Sequence, residues 1–210
     1  MPARATVPRG RHAPAPEVRQ TAQRRRLFAA AASVFARSGY AEASAEGIAR
    51  TAGMSKATFY EHFANKEECL LALFDAAATE VLSAMAGAAG TAGTDPRARL
   101  RAGIRAFLDM LATHPDESQT LLVEVIGAGE RGADRRDNVM SAFAGAVDAE
   151  NAAAARRGTL PRFASPDDAF AIVGAVVELA SRQVRLKRPA DVRELEPLIE
   201  RLMLGLARPA

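Results

Sequence analysis

Three helix-starting residues, Ser44, Ser55 and Asn65, fall so close together that only short helices fit between them. A side-chain oxygen at such a position accepts one of the orphan N–H groups of a helix's first turn. Ser44 is followed by Glu46, an acid placed at the positive end of a helix, and by the apolar positions Ile48, Ala49 and Ala52. Gly53 ends that run. Ser55 opens a second short helix with Phe59 and Phe63 on one face. Asn65 opens a third, with Glu67 and Glu68 in its first turn and Leu70, Leu71, Leu73 and Phe74 inside. Upstream, Leu27, Phe28, Ala31, Val34 and Phe35 recur at helical spacing. Gly39 suits the left-handed position that stops such a helix. The two short helices joined by "AGMS" describe a helix-turn-helix.

The face left over by that packing is informative. Lys56 and Tyr60 form a pair four residues apart, rotated from the Phe59–Phe63 stripe. Ala57 and Thr58 make a small front between them. Small residues let a helix sink into a major groove, and Thr58 can reach base edges. Lys56, Tyr60 and Lys66 can bind phosphates and fix the register. Residues 1–20 read as a disordered basic arm, rich in proline and arginine. Arg4, Arg9, Arg11, Arg19, Arg24, Arg25 and Arg26 precede the rest of the chain against only Glu17. With a net charge of +3, the remainder is mildly acidic. A basic arm on an acidic body is a frequent nucleic-acid layout; a solvated tail is the alternative.

The stretch "LFAAAASVFARSGYAEASAEGIARTAGMSKATFYEHFANKEECLLALF" resembles the DNA-binding domain of the TetR family of bacterial transcription regulators. The pattern is carried by Phe35, Gly39, Tyr40, Ile48, Ala49, Ala52, Gly53, Ser55, Lys56, Thr58, Tyr60, Phe63, Lys66 and Glu67. The resemblance implies that the helix after Ser55 is the recognition helix. Ala57, Thr58 and Tyr60 would then face DNA, with Ser44, Ser55, Lys56, His62 and Lys66 near the backbone. It departs from the pattern at Ala43, Ala45 and Gly47. A glycine inside the helix after Ser44 costs about 1 kcal/mol relative to alanine, so that helix is expected to be weak or to start late. Glu61 adds a negative charge near the expected DNA face.

Beyond this segment the periodicity predicts longer helices over about 96–113, 116–126, 134–157, 166–187 and 192–207. No strand pattern is present, and alanine is abundant, so the expected fold is all-α. The expected organisation is an arm at 1–20, the helix-turn-helix domain at 21–70 and a larger helical domain at 71–210. The resemblance implies that this larger part senses a ligand and dimerises. A ligand site is expected among the middle helices, walled by Phe107, Met110, Leu111, Leu122, Val125, Met140 and Phe143, with Glu124 or Glu178 as polar contacts. Ala169, Ile172, Val173, Val176 and Ala180 form one apolar stripe, and Leu195, Leu198, Ile199, Leu202 and Leu206 another. These are expected to be the homodimer interface, the alternative being an internal bundle core.

Rival chemistries fare worse. Gly127, Gly129 and Gly132 fit a dinucleotide-binding spacing, with Asp148 near the acidic position. That motif needs a strand before it and parallel strands beyond, and the surroundings are helical. The glycines read as an interhelical loop. No nucleophile–base or paired-carboxylate arrangement stands out, and His12, His62 and His114 lack metal-ligand spacing, so neither an enzyme nor a cofactor or metal is expected. The lone Cys69 excludes an internal disulfide and suits a cytoplasmic protein. The longest apolar run, 169–180, contains Glu178, so no membrane span is expected. The chain therefore reads as a ligand-responsive regulator of a double-stranded operator, a repressor that releases DNA on binding a small molecule. An activator with the same domain, or a helical protein-binding module, are the alternatives.

Overall fold

The computed structural model describes residues 15–206. Residues 1–14, with Arg4, Arg9 and Arg11 of the expected arm, lie outside the described residues. The described residues form nine α-helices, with no strand among them. The order is α1 Pro16–Glu42, α2 Ala45–Thr51, α3 Lys56–His62, α4 Lys66–Thr91, α5 Pro96–Thr113, α6 Pro115–Leu122, α7 Gly129–Arg156, α8 Pro166–Leu186 and α9 Glu196–Leu206. Short 3-10 turns at Glu124–Ala128 and Val192–Leu195 precede α7 and α9.

Local chemistry sets the small helices. Ser44 Oγ accepts the Gly47 N–H at 3.1 Å, Ser55 Oγ the Thr58 N–H at 3.0 Å, and Asn65 Oδ1 the Glu68 N–H at 2.9 Å. Gly47 does not delay α2, which begins directly after its cap. Helix α1 begins at Pro16, earlier than the expected end of the arm at residue 20, because proline fits the first helical turn. It kinks at Gly39, whose φ of 76° and ψ of 161° lie in a region open essentially to glycine. α1 to α3 and the first turns of α4 enclose one core, in which Leu27, Phe35, Ile48, Phe59 and Leu70 are fully buried. Each such side chain contributes about 1.5–3 kcal/mol of burial.

Two further cores stabilise the larger part. One joins α7 to α8 around Met140, Phe163, Ile172 and Val173; the other joins α5 to α9 around Ile104, Leu108, Leu195 and Ile199. This placement corrects the interface reading. Ala169, Ile172, Val173, Ala180, Leu195 and Ile199 are buried within the chain itself, and Val176 packs against both cores. Leu198 and Leu202 are half-buried. The outward apolar groups of α8 and α9 are Phe170, Leu186 and, alone among the expected stripe residues, Leu206.

Helix α4, rather than 169–180, is the stretch long and apolar enough to cross a membrane by length and composition alone, and alanine makes up much of its second half. Its first turns are core, and Ala77, Val81, Leu82 and Met85 line a cavity within the protein. The three-glycine loop is also more ordered than expected. Gly127 lies in a 3-10 turn, and Gly132 lies inside α7. A Cβ at Gly132 would stand 2.4 Å from the Val125 carbonyl oxygen, so only hydrogen fits there. Gly132→Ala should therefore destabilise the fold by about 1–3 kcal/mol. Gly87→Ala, in open space within α4, should stabilise by up to about 1 kcal/mol. Urea unfolding of the two variants checks this contrast.

Candidate nucleic-acid interface and apolar cavity

Phe59 and Phe63 anchor α3 from inside, with ring centroids 5.6 Å apart. Phe63 also meets Phe28 of α1, and the Arg24 guanidinium lies about 5 Å from both of those rings. The opposite face is open. Ser55, Lys56, Ala57 and Tyr60 are exposed, and Tyr60 stands edge-on against Phe59. Thr58 is half-buried, with Oγ1 2.9 Å from Ser55 Oγ. Ser44 is exposed at the start of α2. Lys56 approaches Glu46 at 3.8 Å, but both side chains are mostly in water, so this pair is worth little and yields readily to a phosphate.

Two expected phosphate contacts are placed differently. The Lys66 ammonium donates to the carbonyls of Tyr40, Ala41 and Ala43 at 2.8, 2.9 and 3.0 Å, and lies 4.6 Å from the Tyr40 ring centre. An ammonium has three donors, so none remains for a phosphate. Lys66 instead ties the end of α1 to the start of α4. His62 Nε2 sits 3.3 Å from Gln23 Oε1, which ties α3 to α1. Cys69 is fully buried, and burial pushes its thiol up to about 12, which leaves it inert.

The junction with the larger domain is polar as well as apolar. Glu124 accepts the Tyr40 backbone N–H through Oε2 at 3.0 Å and the Gln119 amide through Oε1 at 3.1 Å. The buried Thr120 hydroxyl donates to Ala32 O of α1 at 3.0 Å. Leu121 packs against the core of the N-terminal domain and also lines the cavity. Arg131 pairs with Glu67 and Glu68, and Arg135 with Asp75, so α7 is tied to α4.

The cavity, about 310 Å³, runs between α4, α5, α7 and α8 and is almost wholly apolar. Phe107, Leu111, Leu122, Met140 and Phe143 line it as expected; Met110, Glu124 and Val125 do not. Val125 is core, and Glu124 serves the junction. Glu178 is exposed and pairs with Arg185. Glu150 and Asn151 line one end, where Arg99 holds Glu150 in a two-pronged pair at 2.6 and 3.1 Å. That pair keeps the Glu150 carboxyl below its ordinary range. Arg136 and the α4 wall escaped the sequence reading. The signal for the first was an arginine on the α7 stripe that carries Met140 and Phe143.

Residues 27–73 match the sequence profile of bacterial regulatory proteins of the tetR family. That segment, α1 from Leu27 through the first turns of α4, is a tetR-family DNA-binding segment. The chain is 37% identical over 102 residues to the HTH-type transcriptional activator FasR of Mycolicibacterium smegmatis (strain ATCC 700084 / mc(2)155), covering 49% of this chain and 46% of that protein. The chain spans about half the length of the curated relatives it matches. Two solved structures share the fold. One is the fatty acid degradation regulator FadR from Bacillus halodurans, with a TM-score of 0.79 at 21% identity, covering 90% of this chain and 97% of that one. The other is FadR from Bacillus subtilis in complex with stearoyl-CoA, with a TM-score of 0.77 at 18% identity, covering 88% and 99%. Within that tetR-family segment α3 is the candidate reading helix, and the cavity, lined from Phe74 onward, lies outside it.

The two lysines of the interface separate cleanly in experiment. Lys56→Ala should weaken DNA binding and reduce the log–log salt slope by about 1, leaving stability within about 0.5 kcal/mol. Lys66→Met should instead lower stability by about 1.5–3 kcal/mol, because three carbonyls lose a charged donor. Salt-dependent DNA titrations and thermal melts of both variants, with Tyr60→Ala as the specificity control, check the assignment.

Proposed function

We propose that this chain is a homodimeric repressor that binds a double-stranded operator through α2 and α3 and releases it when a long-chain acyl effector enters the cavity. Residues 21–70 would serve as the DNA-binding domain and 71–210 as the regulatory and dimerisation domain, in a cytoplasmic protein. The observation that carries this reading is the position of α6. Its Leu121 meets the cavity and the N-terminal core together, and its Thr120 is bonded to α1. A ligand that favours another setting of α6 would shift α1, and with it the spacing of two recognition helices in a dimer. Dimerisation would use the outward faces of α8 and α9, where Phe170, Leu186 and Leu206 are exposed.

The effector class is supported by shape. From Arg136 to Ala154, the α7 wall of the cavity is about 27 Å long at 1.5 Å per residue. An extended 16-carbon chain needs about 19 Å, from ordinary bond lengths and angles. The similar FadR fold, solved with stearoyl-CoA, agrees with such a ligand. A second reading, an activator, is favoured by the name of the FasR relative.

DNA from the gene's own upstream region, titrated with and without palmitate or palmitoyl-CoA, tests the proposal. A repressor of this kind should lose about 5–150-fold in DNA affinity with one of the ligands. Tighter binding with ligand would favour the activator reading. Equal affinity with and without either ligand would contradict the effector assignment.

A further inference from the structure

We propose that Arg136 holds the anionic end of the effector at the DNA-proximal end of the cavity, with the methyl end lying toward Phe163. This rests on the acyl-effector reading above. Along α7, Arg136, Met140, Phe143, Val147, Asn151 and Ala154 follow one another at steps of three and four residues, so they form one stripe, and all line the cavity. The stripe thus begins with a cation and continues apolar for about three turns before a polar end.

The two ends differ in charge balance. At the far end Arg99 is neutralised by Glu150 and also donates to Ala89 O at 2.9 Å. Asn151 there donates to Pro161 O and accepts from Arg162 and the Phe163 N–H. Among the described residues that line that end, the cation, Arg99, already has its partner. Arg136 is half-buried and, among the described residues, makes no ion pair, whereas its neighbours Arg131 and Arg135 both do. A guanidinium at the edge of an apolar wall gains most from a partner that brings its own negative charge. Arg136 also lines a surface cleft with Ile126, Asp134 and Asp137, so one side chain borders both the cavity and the surface. The two aspartates keep the cleft from being broadly positive, so the attraction works at contact rather than at long range. Arg131, on the same helix, binds Glu67 and Glu68 of α4, which places the anchored end beside the junction with the DNA-binding domain.

The anion could be a free carboxylate or the phosphates of a thioester, and the experiment separates them. Palmitate, palmitoyl-CoA and neutral hexadecanol are titrated by calorimetry into the full-length wild type, Arg136→Met and Arg136→Lys. Methionine keeps the apolar stem, and each variant's ratio of anion to alcohol affinity is its own control for folding. The wild type should prefer at least one anionic ligand over hexadecanol by about tenfold or more. Arg136→Met should lose that preference while binding hexadecanol unchanged, and Arg136→Lys should recover part of it. The ligand whose advantage disappears identifies the source of the charge. A preference that survives in Arg136→Met would overturn the anchor. Hexadecanol binding as tightly as both anions in the wild type would also overturn it, leaving the acyl-chain reading intact. No binding by any of the three would remove both.

Discussion

The Tyr40 peptide is held from both sides, and the joint between the two halves of the chain depends on it. Its N–H is taken by Glu124 from the turn before α7, and its carbonyl by Lys66 from the start of α4. The same ammonium lies against the Tyr40 ring and bonds two further carbonyls of the α1–α2 connection. Gly39 makes this possible, since its backbone turns the chain in a conformation closed to side-chain-bearing residues. Burial pushes the Tyr40 hydroxyl's pKa up, the mark of a ring drawn out of water. One short segment thus fixes the helix-turn-helix to the walls of the cavity.

What reaches the DNA face is set by what this joint and the aromatic anchor consume. Phe59 and Phe63 hold α3 down, His62 and Lys66 are occupied with α1 and its end, and the residues left open are Ser55, Lys56, Ala57, Tyr60 and Glu61. The front is small and weakly charged. Affinity for a duplex would then draw on positively charged groups beyond α3, such as the exposed Arg19 and Arg25 of α1, while α3 supplies discrimination.

The helix-turn-helix was legible in the sequence because its determinants are local. Ser44, Ser55 and Asn65 each act on an N–H three residues away, and Phe59 and Phe63 share a face by spacing alone. Lys66 was misread because its partners lie 23 to 26 residues upstream, where a sequence pattern sees only a cation beside a recognition helix. Glu124 was misread for the same reason, its partner being 84 residues away. The stripes on α8 and α9 were visible, but periodicity tells which residues share a face and not what covers it. Ile172 and Ile199 turned out to be covered by their own chain. The cavity was half legible: Phe107, Leu111, Leu122, Met140 and Phe143 line it, whereas its α4 wall was hidden in an alanine-rich run.

Hydrogen exchange of the Tyr40 amide, followed in the DNA-free protein with and without a bound acyl ligand, addresses the coupling most directly, because that N–H reports the bond to Glu124. If the cavity and the DNA-binding domain are joined as described, ligand should change the exchange rate at Tyr40 together with amides of α6. A change confined to α4, α5 and α7, with Tyr40 and α6 untouched, would contradict the account.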